Sequence, residues 1–286
     1  MPAETASLVA ASTTFERAEW RVIQHGFSDG SSNMAIDEAI LEAVASGDSQ
    51  PTIRFYGWDP ACVSLGYGQK WHIIDKDFLA SSGWDLVRRP TGGRAILHVD
   101  ELTYSICAPV TEPRVSGSIL ESYQQLSEAL LSGLRIMGLS PVKSVPDPES
   151  SQEVGPACFD GPSNYEIIVG GRKLVGSAQV RKHGVVLQHG TIPLYGDVAR
   201  ISQALYFEKS GRKAALTTLL RRQATTLESA LGRRIGFDQA SSHMALGMAK
   251  TLNLDLVEED LTVNEVNRAT TLRSEKYAHE AWTKRR

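Results

Sequence analysis

Residues 88–98 place two arginines, Arg88 and Arg89, directly before a proline and a double-glycine turn, and an apolar strand-like stretch follows. Arginine supplies fixed cationic donors, and Gly92 and Gly93 permit positive φ and let backbone N–H groups approach a ligand closely. Such a turn is typical of a site for an anionic or strongly polar ligand. The alternative is a surface hairpin turn whose arginines are solvated.

Three cysteines offer candidate thiols, and their surroundings separate them. Cys62 and Cys107 lie in apolar, strand-like segments, where a cysteine usually serves as a small buried hydrophobe. Cys158 lies instead in a loop, residues 155–162, with glycine and proline on both sides. Such a loop can present a thiol to a ligand, so Cys158 is the candidate nucleophile. The alternative is an idle cysteine in a surface loop.

Lys173 is the second candidate, and it precedes a run of small residues, Gly176, Ser177 and Ala178. By itself, a lysine just past a hairpin turn is usually solvated. A glycine inside a strand, however, often marks the close approach of a ligand. A nearby ammonium raises the thiolate fraction of a cysteine and stabilises a developing oxyanion. Together Cys158 and Lys173 therefore indicate an acyl-transfer site.

Histidine is the usual alternative base, and His189 and His98 are the best placed of the seven. The alternative for both is a structural role. No pair of histidine, aspartate or glutamate residues has metal-ligand spacing, so we expect no metal. Nucleotide signatures are weak, because Gly66 and Gly68 lack the third glycine of a dinucleotide fingerprint and no phosphate-binding loop motif occurs.

Composition is that of an ordinary globular protein: of 286 residues, 42% are hydrophobic and 22% charged. A net charge of −3 gives no argument for nucleic acid or a membrane, and no apolar run approaches the roughly 18 residues that span a bilayer. Three cysteines without a paired motif favour a reducing cytoplasm. We expect a disordered lead over 1–16, one catalytic domain over 17–286, and a monomer.

The pattern of apolar residues and turn signals predicts the elements that position these side chains. Ser31 and Ser32 predict the start of a helix with an apolar face, and a second helix is predicted over 118–137. Strands are predicted over 52–56, 62–65, 86–89, 95–97, 102–107, 165–169, 172–175, 185–188 and 191–194. A loop is predicted over 140–155, a two-residue hairpin turn at Gly170 and Gly171, and mainly helix beyond about 214. The fold class is α+β, with a mixed or mostly antiparallel sheet flanked by helices.

Several motifs in order make the chain similar to a known family. They are residues 33–39, 53–58, 88–98 with 101–105, 158–166, 171–179 and 187–190. The chain resembles the biotin/lipoate protein ligase and transferase family, and within it the LipM-type octanoyltransferases. The resemblance begins near Trp20 and reaches residues 273–282. It implies a fold like the catalytic domain of biotin protein ligases, which is class II synthetase-like.

The resemblance implies transfer of an octanoyl group from acyl carrier protein to a lysine of a lipoyl domain, that of the glycine cleavage H protein. Cys158 matches the family's acyl-thioester cysteine, and Lys173 matches its lysine. The substrate-binding residues then expected are Arg88, Arg89, Thr91, Gly92, Gly93, Arg94, His98, Gly176, Ser177, Ala178, Gln179 and His189. A local docking patch for the acidic carrier is expected from Arg88, Arg89, Arg94, Arg181 and Lys182. The alternative for Arg181 and Lys182 is an ordinary solvated face. No cofactor is expected, because a thioester donor is already activated.

Three alternatives stay open at this point. An ATP-dependent lipoate ligase would share the fold, but ligases usually have a third glycine where this chain has Arg94, and they lack the cysteine. An amidotransferase that moves acyl groups between lipoyl domains would share the cysteine chemistry and differ in its donor. A non-catalytic module that binds acyl groups or carrier proteins would keep the fold and lose the reaction.

Overall fold

Eleven strands and eight helices make up the described part of the chain, which comprises residues 15–144, 157 and 166–286 of a computed structural model. The strands are β1 (Ala18–Ser28), β2 (Thr52–Trp58), β3 (Cys62–Leu65), β4 (Asp85–Arg88), β5 (Ile96–His98), β6 (Glu101–Pro109), β7 (Val142–Lys143), β8 (Ile167–Val169), β9 (Arg172–Lys182), β10 (Val185–Pro193) and β11 (Leu254–Glu258). The helices are α1 (Gly30–Ser46), α2 (Lys76–Ser82), α3 (Ile119–Ile136), α4 (Ser210–Gln223), α5 (Leu227–Leu231), α6 (Phe237–Leu252), α7 (Val263–Leu272) and α8 (Glu280–Thr283). Within these described residues, every helix is too short or too polar to cross a bilayer.

Eight of the strands form one mixed sheet in the order β11-β1-β2-β6-β10-β9-β8-β7. Strand β1 pairs in parallel with β2 and β11, and the other neighbouring pairs are antiparallel. A smaller sheet has the order β4-β3-β5, with β4 parallel and β5 antiparallel to β3. The predicted α+β class, with a mostly antiparallel sheet flanked by helices, is confirmed.

The large sheet buries apolar side chains on both faces, because successive residues of a strand point to opposite sides. On one face, Phe55 of β2 belongs to the cluster that includes α3 and α6. On the other face, Tyr56 and Trp58 belong to a cluster with α1 and α7. The small sheet has its own cluster, in which Val63 and Leu65 are buried with Ala157. The small sheet meets the large one where His98 of β5 stacks on Trp58 of β2, with 3.9 Å between ring centroids.

Locally encoded features are as predicted. Gly170 and Gly171 form the turn between β8 and β9 with φ of 55° and 74°, the positive values that a tight two-residue hairpin turn requires. Helix α3 begins after Ser118, whose side chain accepts from the Glu121 N–H in a capping box. The expectation of a loop over 140–155 lies outside the described residues from 145 onward, and Val142–Lys143 before it form the short strand β7.

Three expectations about elements need correction. Helix α1 is capped by Asp29, not by Ser31 or Ser32. The Asp29 carboxylate accepts from the Ser32 N–H at 2.7 Å. The two predicted pieces over 185–194 are one strand, β10, and β9 extends to Lys182, because cross-strand pairing continues through the glycines. The region after 214 also contributes β11, which joins β1 in the main sheet. The predicted lead over 1–16 lies outside the described residues except for its last two.

Candidate active site

A cavity of about 90 Å³ lies between the two sheets. Its walls are Met34, Tyr56, Trp58, Ser64, Arg89, Gly93, Arg94, Ile96, His98, Thr103, Gly176, Ser177, Ala178, His189, Gly190 and Thr191. Eight of these residues belong to the predicted substrate-binding set, although they come from the glycine turn and from strands far apart in sequence. The cavity walls are largely apolar or small side chains, with a few polar groups, which suits an acyl chain.

Small residues on β9 and β10 make room for this cavity. Gly190 of β10 pairs with Ser177 of β9. A Cβ at position 190 would lie 2.6 Å from both the Ser177 Oγ and a ring carbon of Tyr104, so only glycine fits there. The Tyr104 hydroxyl lies 2.6 Å from the Ser177 Oγ, and burial raises the pKa of this tyrosine to about 12. The Tyr104 hydroxyl therefore stays uncharged at neutral pH beside Ser177, which lines the cavity.

Arg88 is not a ligand of the cavity, which corrects one sequence expectation. Its side chain is fully buried. The guanidinium donates to the carbonyl oxygens of Thr283 at 2.7 and 3.0 Å, of Gly66 at 2.7 Å and of Gln69 at 2.7 Å. All of these acceptors are backbone groups of other segments. Arg88 therefore ties the C-terminal helix α8 to the loop that follows β3.

Arg89 holds the glycine turn from within. Its guanidinium donates to the carbonyl oxygens of Gly92 and Arg94, both at 2.8 Å, and of Ser64 at 3.0 Å. Gly93 adopts φ of 93°, whereas Gly92 does not have positive φ. Arg88 and Arg89 are thus buried, so they cannot form the exposed docking patch that the sequence suggested, because their donors are consumed by main-chain carbonyls. Arg89 still lines the cavity.

His98 is held between the two sheets by three contacts. Its Nδ1 lies 2.7 Å from Glu101 Oε1 and its Nε2 lies 2.7 Å from the Ser64 Oγ. The ring stacks on Trp58 with 3.9 Å between centroids. Glu101 also accepts from the hydroxyl groups of Thr103 and Thr191. This arrangement gives His98 a fixed orientation at the cavity wall.

His189 is the second histidine of the wall, and it belongs to a buried polar network. Its Nε2 lies 2.6 Å from the Thr91 Oγ1, and its Nδ1 lies 3.6 Å from Asp37 Oδ2. Asp37 is fully buried, forms an ion pair with Arg54 at 2.8 Å and accepts from the Tyr56 hydroxyl at 2.8 Å. Burial lowers the pKa of His189, although Asp37 opposes this effect. The lowered pKa favours the neutral imidazole of His189.

Lys173 is buried near the start of β9. A lysine just past a hairpin turn is usually solvated, and this one is not. Its side chain is 5% exposed, and its Nζ forms an ion pair with the equally buried carboxylate of Glu166. The Lys173 carbonyl accepts from the Thr225 N–H at 2.9 Å, just after helix α4. Strand β9 continues from Lys173 to Gly176, which lines the cavity.

Cys158 lies outside the described residues, but its chain neighbour does not. Ala157 is fully buried and forms a parallel bridge with Ala95, which follows Arg94 in the glycine turn. Cys62 and Cys107 are buried as predicted, and burial raises the pKa of both thiols well above the usual value. Neither of these two thiols is therefore a suitable nucleophile.

The remaining predicted residues lie at the margin of the site. Thr91 is buried behind the wall formed by His189, and Gly92 lines an adjoining cleft. Gln179 is not among the described residues that line the cavity; its Nε2 donates to Gln188 Oε1 at 3.0 Å. Arg181 donates to the Gly117 carbonyl at 2.7 Å, near the N-terminus of α3.

Lys182 also belongs to the expected docking patch. It forms an ion pair with Glu38 at 2.5 Å, and its side chain is 40% exposed. It lies at the far end of β9 from Lys173. The five cations proposed for the patch therefore do not form one continuous exposed surface.

Asp37, Glu101 and Glu166 are buried carboxylates that contact His189, His98 and Lys173, and sequence reasoning did not single them out. Each lies in a motif that made the chain similar to its family, namely residues 33–39, 101–105 and 158–166. Their position in these motifs was the signal by which the sequence could have marked them as site residues. Their partners could not be found from the sequence, because Asp37 meets His189 and Arg54 only through the pairing of distant strands.

Comparison with known proteins gives consistent results. The family model "Lipoyl protein ligase A/B catalytic domain" matches residues 29–249. Proteins named Octanoyltransferase LipM from Symbiobacterium thermophilum and Moorella thermoacetica are 41% and 43% identical to this chain, each covering 93% of it and 98% of the relative. A bipartite lipoate protein ligase from Thermoplasma acidophilum has a TM-score of 0.79 at 23% identity, covering 94% of this chain and 97% of that one. The last comparison concerns the fold.

Proposed function

The chain belongs to the lipoyl protein ligase A/B catalytic domain family, and we propose that it is an octanoyltransferase that acts in protein lipoylation. Relatives with that name match the chain over almost their whole length. The cavity between the sheets supports this function, because Met34, Trp58 and Ile96 offer an apolar lining for a short acyl chain. The donor is octanoyl acyl carrier protein, and the acceptor is a lysine of a lipoyl domain, that of the glycine cleavage H protein.

The first half-reaction loads the enzyme. The Cys158 thiolate attacks the carbonyl carbon of the carrier thioester, a new C–S bond forms, and the bond to the carrier sulfur breaks. The carrier leaves as a thiolate and takes up a proton. Lys173, as an ammonium, stabilises the oxyanion of the tetrahedral intermediate. Its pairing with Glu166 holds this side chain in one position.

The second half-reaction transfers the acyl group. The neutral amine of the acceptor lysine attacks the acyl-enzyme carbonyl, an amide bond forms, and the Cys158 sulfur leaves. The proton lost by the amine passes to that sulfur, with Lys173 as the proposed relay. No ATP is needed, because a thioester is already an activated acyl donor. A free thiol nucleophile requires a reducing compartment, which fits the cytoplasm.

One structural relationship carries the assignment of the chemical groups. The segment that contains Cys158 is bounded by Ala157, bridged to Ala95 beside the glycine turn, and by Glu166, paired with Lys173. One end of that segment is therefore held beside Ala95, whose chain neighbours Arg94 and Ile96 line the cavity, and the other end is paired with the proposed oxyanion ligand. Arg89, Arg94 and His98 line the same cavity, and we propose that they orient the acyl carbonyl region and the walls around it.

The decisive experiment is intact-mass analysis of the protein after mixing with octanoyl carrier, with and without ATP. We expect a gain of one octanoyl group that needs no nucleotide and disappears in Cys158→Ala. Cys62→Ala is the matched control and should load normally, because the Cys62 thiol is buried. Transfer to a lipoyl domain should then regenerate the free enzyme. Normal loading of Cys158→Ala would refute the covalent route, and pyrophosphate release with free lipoate would favour a ligase.

A further inference from the structure

A second cleft adjoins the acyl cavity, with a volume of about 570 Å³. Pro90 and Gly92 of the glycine turn line it on one side, and Val180 and Leu187 of strands β9 and β10 line it on the other. The acyl cavity is lined by nearby residues of the same segments, namely Gly93 on the turn, Ala178 on β9 and His189 on β10. The cavity and the cleft are therefore neighbours along the same two walls.

Strands β9 and β10 order the two spaces relative to the chemistry. Alternate residues of a strand share a face, so Ala178, Val180 and Lys182 follow one another along the same side of β9. Lys173, the proposed oxyanion ligand, lies at the start of this strand, and the cleft lies toward its end. An acyl group that runs along β9 with its carbonyl at the Lys173 end of the strand would direct its methyl end toward the cleft.

The contact of Thr91 with His189 lies between the residues that line the cavity and those that line the cleft. Thr91 lies between Pro90 and Gly92, which both line the cleft, and its Oγ1 lies 2.6 Å from Nε2 of His189, which lines the cavity. On β10 the cavity ends at His189 and the cleft includes Leu187. Thr91 has no exposed surface and His189 is 7% exposed.

From this placement we propose that the hydrogen bond between Thr91 and His189 is a partition that limits the length of the acyl chain this enzyme accepts. The inference rests on the proposed octanoyl transfer and adds the residues that set its specificity. Octanoyl ends in the cavity, before the partition. A chain several methylene groups longer must displace the Thr91–His189 pair to enter the cleft.

Displacement is unfavourable because both groups are buried and polar. Separation of the pair leaves the Thr91 hydroxyl and His189 Nε2 without a mutual partner inside the protein, and an unsatisfied buried polar group is strongly destabilising. Asp37 lies on the other side of the ring, next to Nδ1, which limits rotation of His189 away from Thr91. The partition is therefore stiff from both sides.

The test measures acyl-enzyme formation by intact mass with hexanoyl, octanoyl, decanoyl, dodecanoyl and tetradecanoyl carrier. In Thr91→Gly we expect the rate with dodecanoyl relative to octanoyl to rise at least about tenfold over the wild-type ratio, which is the discrimination a few methylene groups usually provide. Thr91→Ser keeps the hydroxyl and should keep the wild-type preference. Thr91→Ala is the second opening variant if Thr91→Gly does not fold.

Val180→Phe in the Thr91→Gly background tests whether the longer acyl chain enters the cleft, which Val180 lines. It narrows the cleft, so the gain with dodecanoyl should be lost. A wild-type chain-length ratio in both opening variants, or a gain that survives Val180→Phe, would overturn the proposal.

Calorimetric titration with octanoate and dodecanoate separates this proposal from the proposed function. If the wild type forms no acyl-enzyme at all, octanoyl transfer through Cys158 fails. The partition is then judged by whether Thr91→Gly binds dodecanoate at least about tenfold more tightly than the wild type. Unchanged affinity for dodecanoate would overturn it.

Discussion

Ala157 and Ala95 pair across a parallel bridge, and neither side chain has any exposed surface. Ala95 directly follows Arg94 of the glycine turn, and Ala157 directly precedes Cys158. The turn and the segment that carries the proposed nucleophile are therefore joined through main-chain contact. Together with the pairing of Glu166 and Lys173, this bridge supports an arrangement in which the thiol and the ammonium act on one carbonyl group.

Substitution of Lys173 separates its charge from its shape. Lys173→Ala should lower the rate of acyl-enzyme formation by about 10²–10³, the usual loss when one oxyanion ligand is removed. Lys173→Arg keeps the charge and should retain more activity, although its larger head group does not match the buried site. Single-turnover loading of octanoyl measures both variants. If Lys173→Ala loaded at the wild-type rate, the ammonium would have no role in that step.

Glu166 and Lys173 should be strongly coupled in stability, because both are buried. We expect Glu166→Gln and Lys173→Met to be destabilising singly and the double variant to recover much of that loss, with a coupling free energy of about 2 kcal/mol or more. Urea unfolding of the wild type, the two single variants and the double variant completes this double-mutant cycle. The double variant should still load octanoyl about 10²–10³ times more slowly than the wild type, because it lacks the ammonium. Additive effects on the free energy of unfolding would show that the pair contributes no mutual stabilisation.

Arg88 is predicted to be a structural residue. Arg88→Met should lower the free energy of unfolding by about 3 kcal/mol, because several carbonyl oxygens lose their donor. It should also make the segment after Thr283 more sensitive to limited proteolysis. Arg222→Met, at an exposed position of α4, is the matched surface control, with an expected change within about 0.5 kcal/mol. Wild-type stability of Arg88→Met would contradict this role.

Glu38 should make stability depend on pH. Burial disfavours its ionisation, but Lys182, Lys276 and Tyr277 donate to the carboxylate and lower its pKa from 4.5 to about 2. The depressed pKa means that its stabilisation is complete above about pH 4.5 and is lost as the pH falls toward 2. Urea unfolding should show Glu38→Gln less stable than wild type by about 3 kcal/mol at pH 7 and by about 1 kcal/mol at pH 3. A stability difference between Glu38→Gln and the wild type that does not change with pH would contradict the lowered pKa of Glu38.

Features that depend on a few neighbouring residues could be predicted from the sequence alone. The turn at Gly170 and Gly171 needs positive φ at two positions, and Ser118 with Glu121 forms a capping box within one helical turn. The likeness of several motifs to one family also indicated the fold class and singled out Cys158 and Lys173 as the chemical groups. For the turn and the capping box, local rules were sufficient because the interacting residues lie within a few positions of one another.

Tertiary structure alone decided the direction and partner of each buried charge. Arg88 and Arg89 looked alike in the sequence as surface cations, yet Arg88 binds the Thr283 carbonyl and Arg89 the glycine turn. Likewise, Asp37 meets His189 only because strands distant in sequence pair in one register. A buried charge is stable only with a partner, and that partner is selected by packing across the whole chain. The sequence therefore determined which residue types were available, and the fold decided which of them meet at the cavity.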